Sequence, residues 1–319
     1  RYLTLTDHAF SSIGFFSNIV FWTEAGYFDL SSHEKWLLHT WSLSLEWQFY
    51  IIFPILMIAL FRVFPALSVE VLKLLFVILI FSSFSLSVLA SARWPDAAFF
   101  LLPTRVWEFM VGGIASLGVA NRLAGMAAVK LLGYALIIVS CFLFSPEVAW
   151  PGYSAIMPVL GAFLVIATND QSAGYEKIVF VQSIGMWSYS IYLWHWPIFI
   201  WITYFVLDIG FYSAILALLI SLLVGWFSYI TIERGGARLG VSLALCSVLI
   251  GVVSIHTDGF KGRIDKDLQY TGEEYKLFEY GGAGNAHPKH RPFFTGDHVD
   301  MIFFGDSYAH QYAHAFFNA

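Results

Sequence analysis

The chain has 319 residues, of which 58% are hydrophobic and 12% are charged, and its mean hydropathy is +0.70. Soluble domains carry about 25% charged residues, so this composition excludes an ordinary soluble globular protein. The net charge of −5 is small, and we expect no nucleic-acid partner because the sequence has no basic run. Cys141 and Cys246 lie inside apolar runs, which favours packing residues over a disulfide or a metal site.

Long apolar runs recur along the chain. A membrane-spanning helix needs about 20 predominantly apolar residues. We therefore predict a polytopic α-helical membrane protein of eight to nine transmembrane helices in a lipid bilayer. The first, short run lies at 8–22, and the longer runs lie at 40–61, 71–91, 104–120, 128–145, 154–168, 184–206, 211–231 and 240–256.

Basic residues in the short loops predict the orientation, because cytoplasmic loops carry an excess of Lys and Arg. One set of alternate loops carries Arg62, Lys73, Arg122, Lys130, Lys177, Arg234 and Arg238, whereas the opposite set carries Lys35, Arg93 and Arg105. We therefore expect the loop at 23–38, and everything after about residue 257, to lie outside the cytoplasm.

The composition changes after His256. Residues 258–298 are polar and Gly-rich, which indicates a solvated linker. A short β-rich run, Val299–Phe304, then meets Gly305, and a stretch with apolar residues at helical spacing follows. We expect a strand, a tight turn and a helix here. Because the chain begins with Arg1 and ends inside this pattern, we expect it to be a fragment of a longer protein.

Residues 39–50 hold ionisable groups inside an apolar run. Helical geometry places His39, Ser42, Glu46 and Tyr50 at i, i+3, i+7 and i+11, on one face. A charged group near the bilayer centre costs about 2.5–3.5 kcal/mol even on the more lenient scale, and such groups mark functional sites. The alternative is that His39 and Glu46 lie hydrated at the outer interface, with Glu46 bonded to a neighbouring helix.

A second polar and aromatic cluster lies in 186–201. His195 stands between Trp194 and Trp196, and Pro197 frees a backbone carbonyl one turn earlier. An aromatic belt around a buried, hydrogen-bonded histidine is the alternative interpretation. In a third, weaker candidate, Arg105 and Glu108 stand at i and i+3, where they can simply pair with each other.

Several stretches together resemble the bacterial membrane acyltransferase-3 family. They are "HTWSLSLEWQFYIIFP", "SYSIYLWHWPIFIW", "SNIVFWTEAGYFD" and "LLHTW". The later "DGFKGR" and "IFFGDSYAHQ" resemble family members that carry a fused C-terminal SGNH-hydrolase-like domain of α/β fold. The resemblance implies a membrane acyltransferase domain at 1–235, an additional transmembrane helix at 236–257, an extracytoplasmic linker at 258–298 and the start of the SGNH-like domain at 299–319.

The same resemblance implies an O-acyltransferase of the bacterial inner membrane, with its C-terminal soluble part in the periplasm. It would transfer an acyl group, usually acetyl, from cytoplasmic acetyl-CoA to a glycan such as lipopolysaccharide O-antigen or peptidoglycan. No bound cofactor or metal is expected. The alternatives are a polytopic transporter without transfer chemistry and a structural membrane protein.

The resemblance also implies roles for individual residues. Glu46 is the favoured catalytic group in the membrane, supported by His39, while Ser307 would be the nucleophile of the soluble part, on a turn built by Gly305 and Asp306. Two departures from the family pattern stand out, Trp47 in place of a second acidic residue and Tyr308 in place of a histidine. The predicted substrate-binding residues are Trp41, Ser42, Gln48, Tyr50, His195 and Trp196.

Overall fold

The structure is a computed structural model, and it describes residues 2–25, 35–116, 123, 125–145, 148–168, 179–205, 210–257, 259–260 and 262. The regular secondary structure of the described residues is helical, and turns or extended linkers join the helices. A 3-10 turn, Leu102–Thr104, precedes α6, and a π-helical turn, Tyr229–Glu233, follows α10. The helices are α1 (Tyr2–Ile13), α2 (Ser17–Glu24), α3 (Thr40–Val63), α4 (Val69–Arg93), α5 (Pro95–Phe100), α6 (Val106–Ser116), α7 (Ala127–Leu143), α8 (Ile156–Thr168), α9 (Val179–Phe205), α10 (Phe211–Ser228) and α11 (Ala237–His256).

Four of the described helices are long and apolar enough to cross a membrane: α3, α4, α11 and the combined α10 and π-helical turn. Helices α6, α7 and α8 are apolar but shorter. Helix α9 is long enough but is not one of these four, and it carries Ser, Tyr, Trp and His side chains. Each predicted run from 40–61 onward therefore contains a helix, whereas the predicted count of eight to nine spans is not confirmed.

The first apolar run, 8–22, is divided between α1 and α2. The amide of Phe16 donates to the carbonyl of Ser11 at 2.9 Å, and the amide of Phe15 donates to Ser12 at 3.2 Å. Phe15 has a φ of 57°, so these bonds form a Schellman C-cap with a phenylalanine in the left-handed position. This C-cap ends α1, and 8–22 is not one continuous helix.

Hydroxyl groups join α1, α2 and the beginning of α3. The Ser12 and Thr40 hydroxyls lie 2.7 Å apart, Thr40 donates to Ser17 at 3.1 Å, and Ser17 and Ser44 lie 2.8 Å apart. These small side chains are buried or partly buried, and their mutual hydrogen bonds satisfy polar groups that lipid could not. The chain of bonds fixes the first two turns of α3 against the two short helices.

The second half of α3 has the opposite character. Ile51, Ile55 and Ile58 are half or more exposed. Large exposed apolar side chains along one membrane-length helix are suited to contact with lipid tails. One helix thus has a polar, packed first half and an apolar, exposed second half.

The later helices pack through glycines and small residues. Gly133 of α7 and Gly161 of α8 face each other, and a Cβ atom on either would lie 2.8 Å from the carbonyl oxygen of the other. Gly225 of α10 lies similarly against the backbone of Ile191 in α9. The chain divides into two units, Arg1–Ile255 and His256–Ala319, and every contact described below lies within the first.

Candidate functional site

A tight turn at 35–39 leads into α3 and carries His39. The amide of Leu38 donates to the carbonyl of Lys35 at 3.1 Å, and the amide of Trp41 donates to Leu38 at 3.1 Å. The helix begins at Thr40, and His39 is its N-cap residue with helical φ and ψ. Because His39 has helical backbone angles, it stays in register with Ser42 and Glu46, as the sequence predicted.

The two histidines predicted from separate motifs lie side by side. The rings of His39 and His195 have centroids 5.5 Å apart and meet edge to face. The ring of Tyr192 lies 5.5 Å from His39 and 5.1 Å from His195. Helix α9 therefore brings Tyr192 and His195, which are three residues apart, to the turn that carries His39.

Hydrogen bonding fixes the proton on one nitrogen of His195. Its Nδ1 lies 2.5 Å from the carbonyl oxygen of Tyr192. A carbonyl oxygen can only accept, so Nδ1 carries the proton and donates it to this bond. The neutral imidazole then has its lone pair on Nε2, which is the arrangement that a general base requires.

The ring of His39 is almost completely enclosed. The residue is 6% exposed, and neither ring nitrogen has a hydrogen-bond partner among the described residues. Burial lowers the pKa of His39 to about 4, and the neighbouring His195 adds to this decrease. The nearby backbone of Leu193 raises the pKa slightly, although it does not form a well-aligned hydrogen bond with the ring. Leu193 lies four residues before Pro197, so its carbonyl lacks the usual helical partner. His39 is neutral at physiological pH.

Ser42, Tyr192 and Glu46 extend the polar site along α3 and α9. The hydroxyls of Ser42 and Tyr192 lie 2.5 Å apart, and the Tyr192 hydroxyl donates to the carbonyl of His39 at 2.6 Å. Glu46 is partly buried and makes no hydrogen bond or ion pair with any described residue.

Three other predicted site residues lie elsewhere. Gln48 donates to Asn18 at 2.7 Å and to the carbonyl of Phe15 at 3.0 Å, so it ties α3 to α2. Trp41 packs on the ring of Phe99 with a centroid distance of 4.5 Å. Tyr50 is 59% exposed. The structure thus does not bring these three into direct contact with the two histidines.

Trp196 lies beside the histidine pair, next to a buried ionic cluster that sequence reasoning missed. Its Nε1 donates to the carbonyl of Lys35 at 2.9 Å. The Lys35 ammonium lies 3.3 Å from Glu24, and Glu24 lies 2.9 Å from Nε2 of His8. In the sequence, His8 and Glu24 at the two ends of the apolar run 8–22 could have indicated an ion pair. No spacing rule, however, links either residue to Lys35.

The same cluster sets the ionisation of Glu24. Partial burial alone would raise the pKa of this carboxyl, but the hydrogen bond and charge of His8, together with Lys35, outweigh burial and lower it. Glu24 is therefore an anion between two cationic or proton-donating groups.

Arg105 and Glu108 form the pair that their spacing indicated. Nη1 of Arg105 donates to Glu108 at 2.9 and 3.2 Å. The guanidinium also lies 5.5 Å from the ring of Trp41 and 5.3 Å from that of Phe99. A paired and ring-packed arginine of this kind stabilises the helix ends around it.

The predicted soluble part, 258–319, lies almost wholly outside the described residues, and with it Gly305, Asp306 and Ser307. Within the described ranges, no group of three or more His, Cys, Asp or Glu side chains could hold a metal ion.

Comparison with known proteins decides the family. The sequence model of the acyltransferase-3 family, described as an acyltransferase domain, matches residues 8–232. The chain belongs to the acyltransferase-3 family. The match includes His39, Glu46 and His195, and the resemblance noted in the sequence is confirmed for this part of the chain. Together with its apolar helices, the family makes this chain a multi-pass membrane acyltransferase.

Two relatives support the assignment. A Komagataeibacter xylinus protein named "Putative membrane-bound transacylase BcsY" is 31% identical over 226 residues, which are 70% of this chain and 57% of that protein. A Haemophilus influenzae protein named "Uncharacterized protein" is 30% identical over 171 residues, 50% of this chain and 70% of its own length. No solved structure gives a significant match. None of these matches shows the predicted SGNH-like domain, which stays a prediction.

Proposed function

We propose that this acyltransferase moves an acyl group, usually acetyl, from a cytoplasmic thioester such as acetyl-CoA to a hydroxyl of a cell-surface glycan. Lipopolysaccharide O-antigen and peptidoglycan are the acceptor classes we favour. The protein would lie in the bacterial inner membrane with its C-terminal part in the periplasm. The observation that carries the proposal is the contact between His39 and His195, in which Nε2 of His195 is the nitrogen available as a base.

The chemistry follows from this arrangement. In the membrane part, the hydroxyl oxygen of the first acceptor attacks the acyl carbonyl carbon, the C–S bond breaks, and the thiolate takes up a proton. Nε2 of His195 accepts the hydroxyl proton, a step that contributes about 10²–10⁴-fold in rate. Neutral His39 can donate its ring N–H to the oxygen that gains negative charge, and an enclosed donor is most effective there.

Glu46 would act two helical turns further along α3. Its carboxylate has no hydrogen-bond or ion-pair partner among the described residues. Such a group is available to bind the acceptor hydroxyls or to take the proton from His195 after transfer. A transporter without transfer chemistry, the alternative left open by composition, has no comparable use for a histidine held in one tautomer.

Ser307 would act in a second step. We propose that the serine of the predicted SGNH-like part takes the acyl group from the hydroxyl acylated in the membrane, which is thereby released, and passes it to the glycan with the help of a separate base. In the complete protein, Ser307→Ala should block delivery to the glycan while the acyl donor is still consumed. Glycan acylation at the wild-type rate in this variant would show that the membrane part transfers directly.

The proposal is tested in cells that make the full-length protein. Ester groups on the surface glycan are released with mild alkali and measured, together with the amount of protein in the membrane. We expect His195→Gln to lower the ester content by about 10²-fold or more, because it removes the base. Trp201→Phe, a change at a half-exposed position on the same helix, serves as the control and should leave acylation unchanged. Normal ester content in His195→Gln cells would contradict the proposal.

A further inference from the structure

Helix α9 holds the turn at 35–39 through two hydrogen bonds. The Tyr192 hydroxyl donates to the carbonyl of His39 at 2.6 Å, and Nε1 of Trp196 donates to the carbonyl of Lys35 at 2.9 Å. Tyr192, His195 and Trp196 stand at i, i+3 and i+4, so they share one face of α9. His195 thus lies between two bonds that attach its helix to the two ends of the turn carrying His39.

The carbonyl of Lys35 has a second role within the turn. It also accepts from the amide of Leu38 at 3.1 Å, which closes the turn before α3. One oxygen atom therefore joins the backbone leading to His39 and the indole next to His195. A displacement of Lys35 would therefore move the backbone that leads to His39 and would also change the hydrogen bond to Trp196.

The side chain of Lys35 is anchored on the opposite side. Its ammonium lies 3.3 Å from Glu24 and 5.6 Å from the ring of Phe21. Glu24 in turn lies 2.9 and 3.0 Å from Nε2 of His8. The side chains of Lys35 and His8 are only 4% and 3% exposed. Through His8, Glu24 and Lys35, the helices α1 and α2 are therefore connected to the turn at 35–39.

We propose that His8, Glu24 and Lys35 are positioning residues, which hold the Lys35 carbonyl and thereby set the spacing between His39 and His195. The proposal deepens the proposed function and rests on it for the catalytic meaning of that spacing. Replacing a buried ion pair by apolar residues is often neutral for stability, so a buried pair is weak evidence of a purely stabilising role. Here the pair is made by the side chain of Lys35, whose backbone oxygen accepts from both halves of the site.

A kinetic experiment on the full-length protein in lipid nanodiscs tests this role. We expect Glu24→Gln and Lys35→Met to lower kcat about tenfold while the acceptor KM stays within about twofold, because the histidines remain but are misaligned. Lys35→Arg keeps the charge opposite Glu24 and should restore most of the rate. Trp196→Phe removes the indole donor without touching a charge and should reproduce the loss.

Glu70→Gln is the matched control, because it also removes one carboxylate from an ion pair. Its partner is Lys73, and this pair is exposed rather than buried. It should leave kcat unchanged. A merely structural role for Glu24 would lower the amount of folded protein but not the kcat of the folded fraction. Wild-type kcat in Glu24→Gln, Lys35→Met and Trp196→Phe would overturn the proposal.

A second experiment measures the spacing without any activity. In a Cys141→Ala, Cys246→Ala background, His39→Cys and His195→Cys are combined and joined with a short thiol cross-linker. Adding Glu24→Gln should lower the cross-linking rate about threefold to tenfold, the range expected from the loss of one hydrogen bond. If Glu24→Gln does not fold, Trp196→Phe is used in its place and should give the same decrease. An unchanged rate would overturn the positioning role, and this holds even if the protein proves inactive on glycans.

Discussion

The contact between α7 and α8 and the contact between α3 and α9 are built from different parts of the chain. At the first, Gly133 and Gly161 bring two backbones together so closely that a Cβ atom would lie 2.8 Å from the opposite carbonyl. At the second, α9 reaches α3 through the long side chains of Tyr192 and His195. Around the two glycines the neighbouring atoms are backbone and the side chains of Ile137 and Val165, whereas the second contact contains hydroxyls and imidazoles.

This difference separates packing from chemistry. Small residues give helices in lipid a close contact that needs no polar group and leaves no room for a substrate. Helices held apart by polar side chains leave groups without a hydrogen-bond partner among the described residues, such as the two ring nitrogens of His39. Buried polar groups without partners are costly, and under the proposed function the two nitrogens of His39 are the groups that meet the substrate.

Outside the histidine pair, Glu46 gives the largest expected effect. Glu46→Gln keeps the shape of the side chain and removes its charge, so we expect about a 10²-fold loss of acyl transfer with normal membrane levels. The loss is measured as glycan ester content per amount of full-length protein. Ser213→Ala, an exposed change on α10, is the control. Normal acylation by the Gln variant would show that Glu46 has no role in transfer and is a hydrated, structural residue.

The pair of Arg105 and Glu108 provides an intermediate case, in which the polar groups are ionic but partnered. The Arg105 side chain is 7% exposed and that of Glu108 is 24% exposed. Arg105→Met should cost about 3 kcal/mol of stability, because it leaves a partly buried carboxylate unpaired. Thermal unfolding of the full-length protein in nanodiscs measures the change.

The double variant sharpens this test. Arg105→Met combined with Glu108→Leu removes both charges, and we expect it to recover to within about 1 kcal/mol of wild type. A double variant as unstable as Arg105→Met alone would mean that the guanidinium acts through Trp41 and Phe99 rather than through Glu108.

Gly133 gives the smallest effect. Gly133→Ala must separate α7 from α8, which should cost about 1–3 kcal/mol without changing the rate per folded molecule. Gly112 is the matched control, because no described atom lies within 4 Å of a Cβ built there. Gly112→Ala should be neutral or slightly stabilising. Equal effects of the two substitutions would show that α7 and α8 do not depend on close backbone contact.

Much of the fold was predictable because apolar runs of membrane length determine helices almost by themselves. The runs at 40–61 and 71–91 correspond to α3 and α4 within two residues at each end. The division of 8–22 was not predictable, because Phe15 in the left-handed position has no sequence signal comparable to a glycine. The shorter helices, α6 and α8, also show that apolar length alone does not fix the number of spans.

The site was predictable within each helix but not between helices. Periodicity aligned His39 with Ser42 and Glu46, and it equally aligned Tyr50, which is 59% exposed because neighbouring helices do not cover that face along its whole length. No local pattern indicated that Trp196 donates to Lys35, which lies 161 residues earlier. Such contacts arise from the packing of α9 on the turn before α3.

The most direct test of the account is single-turnover transfer of a labelled acetyl group from acetyl-CoA to the glycan acceptor by the purified full-length protein. Wild type is compared with His39→Gln, His195→Gln and the double variant. We predict a loss of about 10²–10⁴-fold for each single variant and no further loss for the double, because the two rings act as a unit. Wild-type transfer by either single variant would contradict the claim that this histidine pair is the centre of the reaction.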